Sequence, residues 1–173
     1  AVVVAAILLS LAVPSLREFM ARQRVKAINA ELVTDLQFAR SGSVARKLRV
    51  VIGFRTDNDQ LTCYTIETVP PPRTVPDPRC DCTKPLGTAC DGMGDIVELK
   101  TVQVPRSTTV TLQPPDAPAN FVLFEDRRGQ ATPADFQVTI ASSISGKLRT
   151  ATNALGRPQV CSPDGSIGGV PGC

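Results

Sequence analysis

The chain has 173 residues, a net charge of +3, six cysteines, fifteen prolines, one tyrosine, and neither tryptophan nor histidine. The lack of histidine removes the commonest general base and the commonest metal ligand, and no Gly-x-Ser-x-Gly elbow or phosphate-binding glycine loop occurs. An enzyme is therefore not expected, and neither a cofactor nor a small-molecule substrate is implied. The charge is uneven. Residues 1–50 carry eight Lys/Arg against three acidic residues, and residues 51–173 carry eleven against thirteen.

Residues 1–16, AVVVAAILLSLAVPSL, hold no charge. As a helix, Ala1 to Val13 covers about 20 Å, less than the ~30 Å of a bilayer core. Three readings compete: the core of a secretory signal, a buried helix, and a spanning helix whose first turns precede Ala1. The third is preferred, because no small-x-small cleavage site follows. Ala1, Val4, Ile7, Leu11, Val13 and Pro14 then mark a membrane segment over 1–16, with Pro14 expected to kink its end.

An amphipathic helix is expected over 17–47. Leu16, Phe19 or Met20, Ile28, Leu32, Leu36 and Ala39 recur mostly at three- and four-residue steps, with Phe19, Ile28, Leu32 and Leu36 as its packing residues. The pattern weakens at Ser41-Gly42-Ser43. A helix from 1 to about 47 would be roughly 70 Å long, so part of it must meet lipid or other subunits.

Residues 48–173 suit a single β-rich head. Strands are expected at 48–55, 61–67, 96–104, 108–112, 120–125, 136–140 and 147–153, the first two as a hairpin. One helix followed by short strands indicates an α+β fold with antiparallel sheet. The segment 69–94 is rich in Pro, Gly and Cys, and a loop of that length calls for stapling. Six cysteines beside a membrane-type segment point to an oxidising compartment and to disulfides. Local closure favours Cys161–Cys173, with Cys82–Cys90 and Cys63–Cys80 completing the set. Cys80-Asp81-Cys82 is a weak zinc signal. Asp91 and Asp95 supply too few oxygens for calcium, so a turn is expected there.

The first 55 residues resemble the start of the GspH/FimT family, the minor pilins of type IV pili and minor pseudopilins of type II secretion. The resemblance rests on the apolar helix with Pro14-Ser15, on Arg22-Gln23-Arg24-Val25, on Leu36-Gln37-Phe38-Ala39-Arg40 before the first strand, and on Leu155 to Cys161 as a final strand. The cysteine- and proline-rich head is closer to the FimT/FimU-like pilus members. The family's basic leader, Gly-Phe processing site and membrane glutamate have no counterpart here, which agrees with a spanning helix short by about eight residues. The resemblance implies a pilin-like fold, a long helix packed on an antiparallel sheet. It also implies assembly with other minor pilins and the major pilin, an inner-membrane stage with a periplasmic head, and a place on a surface pilus.

Two alternatives follow from the same resemblance. One is a pseudopilin of a type II secretion system. The other is a receptor for duplex DNA. FimT-type members that take up DNA use a C-terminal Gly-Arg-x-Arg motif, of which Gly156-Arg157-Pro158-Gln159 keeps the first arginine. Lys147, Arg149, Arg127 and Arg128 could join Arg157 in a patch, although phosphate binding needs several cations in register and the head is slightly acidic.

Overall fold

The computed structural model of the chain describes residues 2–70, 79–116 and 119–173, with side chains from Ser15 onward. One helix, α1 (Val2–Arg46), precedes nine strands: β1 (Arg49–Arg55), β2 (Leu61–Val69), β3 (Val97–Pro105), β4 (Val110–Gln113), β5 (Phe121–Phe124), β6 (Ala131–Thr132), β7 (Gln137–Ser142), β8 (Lys147–Thr152) and β9 (Pro158–Cys161). Its 45 residues make α1 about 68 Å long.

Helix formation here is a matter of spacing. Ala21, Val25, Asn29, Leu32, Leu36, Ala39 and Ser43 are buried, and their steps of four and three keep them on one stripe. The helix runs through Ser41-Gly42-Ser43, where the sequence pattern predicts weakening. The Ser41 and Ser43 hydroxyls donate to the carbonyls of Phe38 and Arg40 at 3.1 and 2.8 Å, and Ser43 also reaches the Glu125 carbonyl at 3.1 Å. The stop comes at Lys47, which turns left-handed at φ 55°. Leu48 N–H then closes on the Ser43 carbonyl at 3.2 Å, as a C-terminal cap.

The strands form two antiparallel sheets, ordered β3-β2-β1-β5-β6 and β4-β7-β8-β9. A 3₁₀ turn at Arg106–Thr108 and a left-handed Thr109 carry the chain from the first sheet to the second. The sheets are tied where Thr62 Oγ1 of β2 accepts Leu112 N–H of β4 at 3.0 Å. Both lay apolar faces on the same helix stripe. Val50, Ile52, Phe54, Tyr64, Ile66, Val122 and Phe124 come from one sheet, and Val110, Leu112, Val138, Ile140 and Leu148 from the other, around Val25, Leu32, Leu36 and Ala39. Burying a single such side chain is worth about 1.5–3 kcal/mol.

Polar groups fix the register of helix on sheet. Tyr64 Oη donates to Asp35 Oδ2 at 2.7 Å in the interior. Lys100 Nζ of β3 donates to both Asp35 oxygens at 2.9 and 2.8 Å and to Glu31 at 2.9 Å. Burial and the Asp35 hydrogen bond hold the Tyr64 hydroxyl protonated well above its ordinary range. On Lys100, burial opposes the charge, but the bonds to Asp35 and Glu31 outweigh it and raise its pKa. On the other sheet, Thr150 Oγ1 donates to Asn29 Oδ1 at 2.6 Å.

Two of the expected disulfide pairings are corrected. The bonds are Cys63–Cys82, Cys80–Cys90 and Cys161–Cys173, rather than Cys63–Cys80 and Cys82–Cys90. The pairing follows side chains of β2 and β3 that hold the loop after Cys80 in place. Glu67 Oε2 accepts Cys80 N–H at 3.0 Å, and Gln103 Nε2 donates to the Cys82 and Lys84 carbonyls at 2.7 and 2.8 Å.

Asp35→Ala leaves the Tyr64 hydroxyl and the Lys100 ammonium without their shared acceptor. It is expected to lower the unfolding free energy by about 2–3 kcal/mol, measured by guanidinium titration with the disulfides intact. In a Tyr64→Phe background the cost should shrink; an equal cost in both would show that the hydroxyl and the carboxylate are not coupled.

Candidate functional site

Among the described side chains, the head's cover of the helix begins at Ala21. Its rim is marked by Arg24 Nη1 donating to the Thr108 carbonyl at 3.4 Å and Lys26 Nζ to the Gly168 carbonyl at 3.2 Å. Below that rim Leu16, Phe19 and Met20 are 58, 57 and 47% exposed. Phe19, Met20, Gln23, Arg24 and Ala27 line a shallow, mostly apolar hollow on the helix surface. Arg22 pairs with Glu18 one turn away. Of the expected packing residues, Leu32 and Leu36 lie in the core and Ile28 packs half-buried at its margin, whereas Phe19 points clear of the head.

Of the expected membrane residues, Ala1 lies outside the described residues. Val4, Ile7, Leu11, Val13 and Pro14 fall within the backbone of α1, and their side chains are outside the described set. Among the described residues no helix is long and apolar enough to cross a membrane.

The basic candidates divide. Arg157 is exposed and directly follows Gly156, whose backbone packs on the 126–129 turn. A Cβ at Gly156 would lie 2.5 Å from the Gly129 carbonyl oxygen, and φ there is +71°. That close approach demands glycine, so the Gly156-Arg157 pair has a structural reason of its own. It also sets the backbone beside Arg157 against the turn that carries the exposed Arg127 and Arg128, where Glu125 and Asp126 offset the charge. Lys147 and Arg149 lie on the outward face of β8, with Leu148, Thr150 and Thr152 turned inward. Thr152 pairs with Pro158, so Lys147 stands roughly 20 Å along the strand from Arg157.

The outer face of the first sheet carries the feature that the sequence reading did not single out. Every β2 residue after Leu61 is buried, because the helix covers one face and the 79–96 loop covers the other. Glu67, 1% exposed, sits beneath that loop. Its Oε2 accepts Cys80 N–H and lies 3.9 Å from Cys90 Sγ, while Oε1 is buried without a partner. Burial pushes its carboxyl up to about 7, against the pull of Cys80 N–H and of Arg79. A Glu67 oxygen and the sulfurs of Cys80 and Cys90 lie within 4.8 Å of one another. With the two sulfurs bonded together, the group offers a metal only the carboxylate. Asp91 and Asp95 are exposed beside left-handed Gly92 and Gly94, a turn as expected. A glutamate at an even step within a strand of inward and outward residues was the available signal. Nothing in the sequence placed a roof over it.

A long helix laid across antiparallel sheets, with one end projecting from the head, defines a pilin-like protein. Residues 29–156 match the family model of the type II transport protein GspH, and the chain belongs to that family. Its fold is similar to the crystal structure of the type IV minor pilin FimU of Pseudomonas aeruginosa strain PAO1, with a TM-score of 0.54, 18% identity, and coverage of 82% of this chain and 91% of that one. No curated protein matches the chain.

Glu67 binds its proton more tightly in the folded head than at its ordinary value of 4.5. Its contribution to stability is therefore complete below about pH 4.5 and is lost as pH rises through about 7. Relative to Glu67→Gln, the protein should lose up to about 3 kcal/mol between pH 4.5 and 8, followed by thermal unfolding across that range. Parallel curves for the two proteins would refute the assignment.

Proposed function

We infer that the chain is a minor pilin that acts in type IV pilus assembly, in a tip or priming complex with other minor pilins and next to the major pilin. The observation that carries this reading is the helix below Ala21. Leu16, Phe19 and Met20 form an apolar surface that the head leaves open on a rod whose upper half it covers along one stripe. Exposed apolar area of this kind is stabilised by packing on another apolar surface, and neighbouring pilin helices supply one. Membership of the GspH family and the FimU-like fold support it. The uncharged run of residues 2–13 supports an inner-membrane stage with the head in the periplasm, where the three disulfides form.

The family also contains secretion pseudopilins, for which the helix surface would serve the same packing. The duplex DNA reading draws on one observation, the packing of Gly156, which precedes Arg157, on the turn that carries Arg127 and Arg128. The local acidic residues and the distance to Lys147 make it the weaker.

The test is co-purification of the chain with candidate minor pilins, with duplex DNA as a parallel bait. Phe19→Ser combined with Met20→Ser should leave the unfolding midpoint unchanged, since both residues lie outside the core. It should reduce recovery of the chain with its partners severalfold. Recovery equal to wild type would overturn the helix-packing reading. Salt-sensitive DNA binding weakened by Arg157→Ala would instead favour the receptor.

A further inference from the structure

Glu67 is a costly choice at its position. It stands opposite Val51 on β1 and Glu98 on β3. The Glu98 carboxylate is taken up by Gly87 and Ala89 N–H at 3.1 and 2.9 Å. The Glu67 carboxylate is only half used, by Cys80 N–H, and its second oxygen is sealed in with no partner. A buried oxygen left unsatisfied is destabilising, because its lost hydration is not replaced. A glutamine would accept the same hydrogen bond without a charge to bury. What a carboxyl group adds is a proton that it can release and recover. The groups beside that carboxyl are the bonded sulfurs, Cys90 Sγ at 3.9 Å and Cys80 Sγ within 4.8 Å.

We propose that Cys80–Cys90 is a thiol–disulfide exchange site in which Glu67 is the acid that protonates the departing sulfur. The co-reactant is a dithiol reductant, and a disulfide donor in the reverse direction. A thiolate of the reductant attacks Cys90 Sγ, on the less buried residue of the pair. The S–S bond breaks with its electron pair on Cys80 Sγ, which takes the proton of the Glu67 carboxyl. The second thiolate of the reductant then attacks its own sulfur in the mixed disulfide. It closes a cyclic disulfide and releases Cys90 Sγ as a thiolate, which takes a proton from water. Two electrons pass to the protein, the dithiol is oxidised, and Glu67 recovers its proton from solvent. Protonating the leaving sulfur speeds the step, because exchange depends on the basicity of the leaving thiolate.

The other two disulfides lack this arrangement. Cys63 and Cys82 are fully covered, and Cys161–Cys173 lies at the exposed C-terminal turn. Among the described residues only Cys80–Cys90 is grouped with a carboxylate in this way. On the segments packed against Glu67 the charged residues are Arg79, Asp81 and Asp91 next to the two cysteines in sequence, Glu98 on β3, and Arg49 two residues before Val51 on β1. Of these, Arg79 favours the carboxylate, and the 79–96 loop covers Glu67 and Cys80 while leaving Cys90 only partly buried. A carboxyl that titrates near 7 gives the exchange a pH dependence of its own.

The experiment uses the full chain with all three disulfides formed. Dithiothreitol in excess opens the bonds at pH values from 5.5 to 8.5, free thiols are alkylated, and each cysteine pair is followed by peptide mass. The initial rate at Cys80–Cys90 divided by that at Cys161–Cys173 cancels the ionisation of the reductant. The ratio should fall about tenfold between pH 6 and 8 as Glu67 loses its proton, and it should be flat in Glu67→Gln. A flat ratio in the wild type overturns the proposal, as does the same slope in Glu67→Gln. Opening of Cys63–Cys82 ahead of Cys80–Cys90 overturns it too. The wild-type ratio stands as a test even where the variant is perturbed.

Discussion

One stripe of α1 is the floor of both sheets. Leu32, Leu36 and Ala39 face the strands of the first sheet and of the second, so neither sheet has a complete core without the helix. That makes the head and the upper half of the rod one cooperative unit, and it limits where the polar contacts can sit. Asp35 and Asn29 lie one on each side of Leu32 along the stripe. Each ties the helix to a different sheet, Asp35 through Tyr64 and Lys100, Asn29 through Thr150. A sliding or rotated helix would break both sets at once and leave buried polar groups unpaired, which costs more than the bonds themselves gain. The apolar stripe supplies the affinity of helix for head, and these contacts supply its register.

The opposite face of the first sheet obeys a different logic. An antiparallel sheet can leave one face to solvent, but here the 79–96 loop covers β2, and the cover is built mainly from side-chain hydrogen bonds and disulfides. Glu98 and Gln103 collect backbone groups of the loop, and Cys63–Cys82 anchors it to β2. The apolar content of this layer is small, with Ala89 and Ile96 packing beside Cys80. A roof of this kind depends on cross-links because its hydrophobic area is too slight to hold it. The same poverty of apolar cover leaves room for a carboxyl group beside a disulfide.

Much of this was legible in the sequence. The helix was, because three- and four-residue steps between Val25 and Ala39 persist longer than chance contact allows. β1 and β2 were, because β-branched residues alternate on both sides of the Asp57-Asn58-Asp59 turn. The two-residue β6 was too short to carry a period. The division into two sheets was hidden because it depends on the turn through Thr109, a residue with no local preference for a left-handed backbone. The disulfide pairing could not be reached by loop closure. Closures of 19 and 10 residues differ from the alternatives of 17 and 8 by only about 0.1–0.2 kcal/mol each. The choice was made by Glu67 and Gln103, whose partners are set only when the loop is laid on the sheet. Arg157 was read from a motif, and the structure gives the glycine before it a packing role that the motif does not require.

The two ends of the molecule therefore differ in what they leave unsatisfied. Above Ala21 the apolar stripe is covered by the two sheets, and its buried polar residues Asn29, Asp35 and Ser43 are paired by hydrogen bonds. Below it, Leu16, Phe19 and Met20 remain open on a rod too long for a head of this size to cover. Most helical stability in proteins comes from packing of an apolar face, so the exposed half draws its order either from the anchored half or from neighbours. The clamp through Asp35 and Asn29 provides the first. It holds the projecting helix at a fixed angle to the head before any neighbour is met, which lowers the ordering entropy that association would otherwise cost. A rigid head is in this sense the means by which the open helix surface is presented for packing.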